Sequence, residues 1–435
     1  MAEEILRITG GQKLRGEITV QGAKNSALPI MAASMLCSGE TVLYNVPRLT
    51  DVYAASRILN HLGLRCKIEA SAAVINPAGI SSAEIPDADM RAMRSSVMFL
   101  GPMLGRLKQC VLTMPGGCEL GPRPIDLHLD AMRQMGVQIR ESQGKIVCTA
   151  EHLHGARIPL PIPSVGATEN IIMAAVLADG ETVLTNAARE PEISDLAAFL
   201  NRCGARISGA GEGTVTVSGV ESLHGTEYTV MPDRIAAFTW LCACACAGGT
   251  VCLSGTAPRD MESSLSVLRA AGCRLGICRD RIYLDGGQSL RSVRYIRTMP
   301  YPGFPTDTQA LICAVLSTAH GTSMIEETVF ESRYKHVGEL LRMGADIRVS
   351  GRTAVITGVP ALHGAELRAM DLRGGAALAC AAAGAEGESV LRGLTHLDRG
   401  YDNFAETFNS LGGIAKRTAI SASEHGKTGL EKRKC

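Results

Sequence analysis

The sequence predicts an α/β protein made of six repeats, each running in a β-α-β-α-β-like order, and three patterns carry that prediction. Glycines recur about every 70 residues, at Gly63, Gly136, Gly204, Gly272, Gly344 and Gly412, and a fixed period of this size marks a repeated supersecondary unit. Ahead of them, apolar residues three and four apart, such as Ile125, Leu129 and Met132 or Val337, Leu340 and Leu341, trace one buried helix face. Behind them, apolar and polar residues alternate, as in Ala345-Asp346-Ile347-Arg348-Val349, the signature of a half-buried strand.

A second signature, Leu-x-Gly followed by an extended stretch, recurs at Leu14-Arg15-Gly16, Leu153-His154-Gly155, Leu223-His224-Gly225 and Leu362-His363-Gly364, with Leu290-Arg291-Ser292 as a weaker copy. An alanine-rich helix comes next, then a Gly-Glu or Gly-Thr turn and a second strand, as in Ala174 to Leu184 and Ala377 to Leu391. The amphipathic helix follows, and the periodic glycine reads as its C-terminal cap. Units of this kind bury helices against sheets, and six of them could close as one ring or as two clusters of three. The period fits both.

A chain of 435 residues, 46% hydrophobic and 20% charged, can bury large cores and suggests two domains or one elaborate repeat. Its 44 basic and 43 acidic residues leave a net charge of +1, so no global field draws it to nucleic acid or an anionic membrane, and any anion site must be local. The amino terminus, Met1 to Arg7, lacks the basic region and apolar core of a signal peptide. The apolar runs Ile235 to Ala247 and Ala376 to Ala383 are too short to span a bilayer. A cytoplasmic location is expected, in keeping with fifteen scattered cysteines that resemble a reduced set. Cys242-Ala243-Cys244-Ala245-Cys246 reads as a buried helix rather than a metal site, because no histidine or second cysteine pair stands at zinc spacing. No metal or cofactor is expected. The polar stretch 418–435 reads as a disordered tail.

Cys118 lies in Met114-Pro115-Gly116-Gly117-Cys118-Glu119-Leu120-Gly121-Pro122-Arg123, where paired glycines and Gly-Pro disfavour a helix or central strand. A thiol on such an exposed turn, with Arg123 nearby to stabilise thiolate, suits a nucleophile or proton donor, although most cysteines are small buried hydrophobes. The segments opening the first helix of each unit should occupy equivalent slots: Gly22-Ala23-Lys24-Asn25, Met93-Arg94-Ser95-Ser96, Val165-Gly166-Ala167-Thr168, Pro232-Asp233-Arg234, Pro305-Thr306-Asp307 and Asp371-Leu372-Arg373. Helix N-termini present unpaired N–H groups, and Lys24, Arg94, Arg234 and Arg373 add full charges. One such cation is an ordinary surface residue; four at equivalent slots would focus a site for a polyanion. Thr306 and Gln309 fit a capping box that makes Asp307 the first helical residue. There Asp307 could act as an ionised base or simply complement the helix dipole, and the pattern leaves both open.

Six motifs in order extend these segments: Gly22-Ala23-Lys24-Asn25-Ser26-Ala27-Leu28-Pro29, Pro115-Gly116-Gly117-Cys118 with Arg123-Pro124-Ile125-Asp126-Leu127-His128, Ser164-Val165-Gly166-Ala167-Thr168, Ala188-Arg189-Glu190-Pro191-Glu192, Phe304-Pro305-Thr306-Asp307 and Asp398-Arg399-Gly400-Tyr401. From about residue 5 to 417 the chain resembles the UDP-N-acetylglucosamine 1-carboxyvinyltransferases, the bacterial enolpyruvyl transferases that commit sugar nucleotide to peptidoglycan. Enolpyruvyl transferases acting on shikimate 3-phosphate share the fold but are not expected to carry the cysteine loop. The resemblance implies two inside-out α/β barrel domains of three repeats each, helices inside and sheets outside. The first would comprise 1–23 and 232–417, the second 24–231 with the Cys118 loop, which acts in the family as a lid over a cleft between domains. The implied reaction transfers the enolpyruvyl group of phosphoenolpyruvate to the 3-hydroxyl of UDP-N-acetylglucosamine and releases phosphate, the first committed step of peptidoglycan synthesis.

The same resemblance implies the residue roles. Cys118 would be the general acid, able to form an adduct with the enolpyruvyl unit, to assist product release and to react with fosfomycin. Asp307 would take the hydroxyl proton. Lys24, Arg123 and Arg399 would hold phosphate, and Arg333 and Arg373 the carboxylate, which is electrostatic stabilisation without a metal. Asn25, Arg94, Arg123, Pro124, Ile125, Asp126, Leu127, Ile162, Pro163, Ser164, Val165, Asp307 and Val329 would contact the sugar nucleotide. Three departures stand out: Ile162 where some members carry lysine, Glu119 beside the thiol, and Gly374-Gly375 after Arg373. Glu119 could raise the thiol pKa by like charge and oppose Arg123, which leaves sensitivity to fosfomycin open. Two other readings are a non-catalytic sugar-nucleotide sensor, which would not need both acid and base, and a thiol redox or metal protein built on the cysteine cluster.

Overall fold

A computed structural model describes residues 3–93, 95–113, 125–287 and 289–420. Two compact units emerge, one from the chain through Thr19, Ala237–Thr298 and Thr306 onward, the other from Val20–Ala236 with Met299–Pro305. Each holds three sheets, so the six repeats group as two sets of three.

In the first unit all three sheets follow one plan. An edge strand lies parallel to its neighbour, and two antiparallel strands complete the sheet. Thus Leu14–Thr19 runs parallel to Gly249–Ser254, followed by Arg281–Asp285 and Arg274–Cys278. Ile296–Arg297 and Thr322–Glu326 lead to Thr353–Thr357 and Asp346–Ser350 in the same way. The third sheet closes the chain on itself: the amino-terminal strand Glu3–Thr9 lies between Glu388–Arg392 and Ile414–Ile420, with Glu366–Arg368 at the edge. Helices Arg234–Ala247, Thr306–Leu316 and Leu372–Gly384 supply the interior, and every residue from Arg373 to Ala383 is buried. Helices buried all round must approach closely, which their alanines, glycines and cysteines permit. A Cβ on Gly384 would sit 2.3 Å from the Cys246 carbonyl oxygen. Cys242 and Cys244 are buried in this core, as the alanine-cysteine run predicts, and burial pushes the Cys244 thiol up to about 12.

The second unit repeats the plan with Lys24–Ala33, Leu100–Leu107 and Val165–Ala175 inside. Two of its sheets have the parallel edge, Glu227–Thr229 on Thr41–Tyr44 and Arg157–Pro159 on Glu181–Thr185. In the third, Gln109–Thr113 keeps only an isolated parallel bridge, Glu84 to Val111. Both units are therefore inside-out, buried helices wrapped by separate sheets whose inner faces alternate with exposed outer residues. No helix among the described residues is long and apolar enough to cross a membrane.

The periodic glycines all adopt the left-handed backbone, with φ of 98, 91, 102, 99, 91 and 81° in chain order. Each ends its helix in the same pair of bonds: Gly63 N–H reaches Asn60 O at 3.1 Å and Leu64 N–H reaches Leu59 O at 3.0 Å, and the pair recurs through Gly412 and Gly413. This is the Schellman closure, which a residue bearing a Cβ adopts only with strain. Leu-x-Gly has a different cause. At Gly155, Gly225 and Gly364 a Cβ would fall 2.2, 2.0 and 2.2 Å from a carbonyl oxygen of the neighbouring parallel segment.

Two expectations change. The tail does not begin at 418, because Thr418 and Ala419 pair with Ile5 and Glu4, and Arg417 bonds the Glu4 and Asp398 carboxylates; residues 421–435 lie outside the described residues. The units divide at 19/20 and 236/237 rather than 23/24 and 231/232, since Gly22 bridges Pro232 and Asp233 N–H reaches Gln21 O at 2.9 Å, which holds both crossings in the second unit.

Candidate active site

The first unit brings together three of the residues singled out by sequence. Asp307 lies in the first turn of Thr306–Leu316, its carboxylate about one third exposed. Arg333 Nη2 donates to Asp307 Oδ1 at 2.6 Å, and Arg373 Nη2 approaches Oδ2 at 3.4 Å. One carboxylate thus spans two guanidinium groups, each almost wholly buried. Arg333 is fixed further by Nε and Nη2 donating to Thr306 O, both at 3.3 Å, and lies over the Phe330 ring. Arg373 is aimed by its helix: Asp371 Oδ1 accepts the N–H groups of Arg373 and Gly374 at 3.0 and 2.9 Å, a two-bond N-cap.

A residue outside the sequence-predicted set organises this corner. Glu327, fully buried, accepts the Val329 and Phe330 N–H groups on Oε1 at 2.8 and 3.0 Å and the Thr306 hydroxyl on Oε2 at 2.9 Å. It ties the loop carrying exposed Val329 and buried Arg333 to the helix carrying Asp307. The expected capping box is therefore corrected: Thr306 spends its hydroxyl on Glu327, Gln309 Nε2 approaches Cys313 Sγ at 3.3 Å, and Asp307 is the second helical residue. His336 is buried with neither ring nitrogen bonded, and burial lowers its pKa to about 4. Arg399 is partly buried beside Asp398, whose two oxygens both accept from Arg417 at 2.7 Å.

In the second unit Lys24 opens Lys24–Ala33 almost buried, its Nζ 2.7 Å from Oδ2 of Asp51, which is 1% exposed. A lysine taken this far from water keeps its charge when an acid is held against it, and Asp51 sits in the first turn of Thr50–His61 to do so. Asn25 is exposed at the next position. Arg234, expected as another ligand-facing cation, is instead neutralised: its Nε and Nη2 meet Glu192 Oε1 and Oε2 at 3.0 and 3.2 Å. Asp233 caps that helix through Ile235 and Ala236 N–H, each at 2.9 Å. Burial raises the carboxyl of Glu169 well above its usual range, with Glu192 and Glu190 adding to it.

The segments expected to hold sugar nucleotide open two packed helices. Ser164 caps Val165–Ala175, its Oγ accepting Ala167 N–H at 3.4 Å, with Pro163 and Val165 partly buried and Ile162 61% exposed. Ile125, Asp126 and Leu127 start Asp126–Gln134, with Ile125 buried and Asp126 exposed. His128 brings these openings together, its ring edge against Gly166. Cys118, Arg123, Pro124 and Arg94 lie outside the described residues.

A family model described as EPSP synthase (3-phosphoshikimate 1-carboxyvinyltransferase) matches residues 8–408. With two three-repeat units already in place, that match defines the class: an enolpyruvyl transferase. UDP-N-acetylglucosamine 1-carboxyvinyltransferase 2 of Caldanaerobacter subterraneus subsp. tengcongensis is 48% identical over 93% of this chain and 97% of its own. The Bacillus subtilis enzyme named UDP-N-acetylglucosamine 1-carboxyvinyltransferase 2 is 41% identical over 97% and 98%. The chain belongs to the UDP-N-acetylglucosamine 1-carboxyvinyltransferase family. Among solved structures, the enolpyruvyl transferase NikO from Streptomyces tendae superposes with a TM-score of 0.89 at 26% identity, covering 97% of this chain and all of that one. EPSP synthase from Acinetobacter baumannii, at 20% identity, covering 95% of this chain and 100% of its own, and a TM-score of 0.76, shares the fold.

Proposed function

We propose that this chain transfers the enolpyruvyl group of phosphoenolpyruvate to the 3-hydroxyl of UDP-N-acetylglucosamine, releasing phosphate, as the first committed step of peptidoglycan synthesis in the cytoplasm. Near-full-length identity to relatives named for this activity is the observation that carries the reading. The two units are read as the two barrel domains of the family. In the addition step Cys118 gives a proton to the methylene carbon while the sugar hydroxyl attacks the adjacent carbon and Asp307 takes the hydroxyl proton. Loss of a methyl proton and of phosphate then completes the enol ether. Lys24, Arg123 and Arg399 hold the phosphate as it gains charge. Asn25, Arg94, Arg123 to Leu127, Ile162 to Val165, Asp307 and Val329 hold the nucleotide sugar.

Arg333 and Arg373 are read as the clamp for the substrate carboxylate. Asp307 itself occupies that clamp in the structure. A carboxylate entering there displaces Asp307 from the arginines and sets the base free, so base release follows binding of the trianion. The reading is tested by following phosphate release from phosphoenolpyruvate. Release that requires UDP-N-acetylglucosamine is expected; release with shikimate 3-phosphate instead moves the activity to the sibling reaction. Saturable nucleotide-sugar binding without turnover would leave a sensor.

A further inference from the structure

Three arginines of the first unit meet where other repeats place structural residues. Arg269, Arg274 and Arg291 line an open cavity of 440 Å³ together with Gly272, Cys273 and Ser289, at the carboxyl end of helix Glu262–Ala270. The sixfold repetition shows what two of these positions ordinarily do. Three residues before the periodic glycine, Asn60, Asn201 and Asn409 bond the strand that follows; Asn409 donates from Nδ2 to Ala415 O at 2.9 Å and accepts Ala415 N–H on Oδ1 at 2.7 Å. In the fourth repeat Arg269 stands there instead. Over the glycine itself, His154, His224 and His363 lie 3.0, 3.5 and 3.5 Å from where a Cβ would sit on Gly136, Gly204 and Gly344. The first two rings are held by Nδ1, each 3.0 Å from the next residue's carbonyl oxygen. In the fourth repeat Arg291 takes that place, its Nε 3.5 Å from the Cβ position of Gly272 and its own N–H bonded to Ala271 O at 2.9 Å.

These cations lack the countercharge found elsewhere. Arg133, at the position of Arg269 in the second repeat, bonds Asp130 Oδ1 at 2.6 Å. Arg269 has Glu262 at 3.6 Å, an acid whose side chain is 71% exposed, and such a pair is weak and screened. No carboxylate of a described residue pairs with Arg274 or Arg291. Asp285 faces Arg274 in the ladder, but its Oδ1 accepts Gly287 N–H at 2.9 Å. Gathering three guanidinium groups is unfavourable until an anion comes between them, and their planar forks match phosphoryl oxygens two at a time. The cavity lies within the size range of small-ligand sites, about 300–1,000 Å³, while its arginine-lined wall suits a charged body rather than an apolar one.

We propose that this cavity is a second anion site, which takes a small molecule through two or more linked phosphoryl groups held by Arg269, Arg274 and Arg291. No residue of the cavity has a part in the proposed enolpyruvyl transfer, so failure of turnover in the unaltered enzyme would leave this site untouched. Isothermal titration of the whole protein with inorganic pyrophosphate, at low salt and with UDP-N-acetylglucosamine saturating, tests it. Arg274→Ala combined with Arg291→Ala should weaken one pyrophosphate-binding event per chain about tenfold or more, as expected for lost charged hydrogen bonds, with turnover and thermal unfolding as in the unaltered chain. Arg65→Ala combined with Arg206→Ala removes the same charge from exposed positions equivalent to Arg274 in the first and third repeats. That control should leave binding within about twofold, because charges beyond a Debye length are screened. Sulfate, a single tetrahedral dianion, should bind about tenfold or more weakly than pyrophosphate, since it cannot engage three forks at once. Undiminished pyrophosphate binding in the Arg274→Ala, Arg291→Ala variant, an equal loss in the control pair, or equal affinity for sulfate and pyrophosphate overturns the proposal.

Discussion

At the scale of single residues, the most telling contact is the Asp307 carboxylate held between the two arginines proposed as the clamp for a substrate acid. Asp307 bridges Arg333 and Arg373, so Asp307→Ala has two consequences of opposite direction. Turnover should fall by roughly two to four orders of magnitude if Asp307 is the base proposed above. Phosphoenolpyruvate binds more tightly, by about tenfold, because the arginines no longer have to be emptied first. Calorimetric titration of the variant measures the second effect, and weakened binding would refute the displacement. Lys24 gives the contrasting case. Removing it takes from Asp51, an acid 1% exposed, a partner held at 2.7 Å, so Lys24→Ala should lose about 1–3 kcal/mol of stability as well as affinity for phosphoenolpyruvate. Adding Asp51→Asn should restore stability but not affinity, as thermal unfolding and binding of the double variant would show. Lys24, Asp307 and Arg373 were visible in the sequence as charged residues at helix openings, and Arg333 only through what the family resemblance implies. Asp51 and Glu327 were not, because each acts on a partner across a turn of chain or a packed helix pair that no local pattern marks.

At the scale of elements, the period was legible because its glycines do a job no other residue does cheaply, and what followed each glycine was not. Asn60, Asn201 and Asn409 stand three residues before Gly63, Gly204 and Gly412 and clamp the next strand by two bonds each. Asn201, for example, donates from Nδ2 to Ile207 O at 2.9 Å and accepts Ile207 N–H on Oδ1 at 2.8 Å. The same position holds Arg133, Arg269 and Leu341 in the other three repeats, so the device is used in half of them and escapes a search for strict repetition. Asn201→Ala should cost about 1–2 kcal/mol of stability in urea unfolding, the worth of two partly exposed hydrogen bonds, and leave kcat unchanged. Sheet partners were equally hidden. Leu14 pairs with Gly249 and Glu3 with Ile420, and separations that long follow from the insertion of the second unit after Thr19 and from the amino-terminal strand lying in the last sheet of the first unit.

At the scale of the whole molecule, a net charge of +1 conceals opposed titrations in the two cores. His336 in the first unit has a pKa lowered to about 4 by burial. Its neutral form belongs to the fold and its charged form to the unfolded chain, so its contribution is complete above the unfolded value of about 6.5 and is lost as pH falls through about 4. Glu169 in the second unit runs the other way. Burial raises its pKa well above the usual carboxyl range, so its neutral form is favoured by the fold and stability drains away as pH rises from the unfolded value towards the folded one. The two can be separated by a crossed experiment. His336→Leu fills a site whose nitrogens have no partner and should raise Tm at pH 4.5 relative to the unaltered chain by more than at pH 8. Glu169→Gln should raise Tm at pH 8 and change it much less at pH 4.5, where the unfolded carboxyl is itself about half protonated. Equal shifts of either variant at both pH values would mean that packing, and not the burial of a charge, sets its contribution.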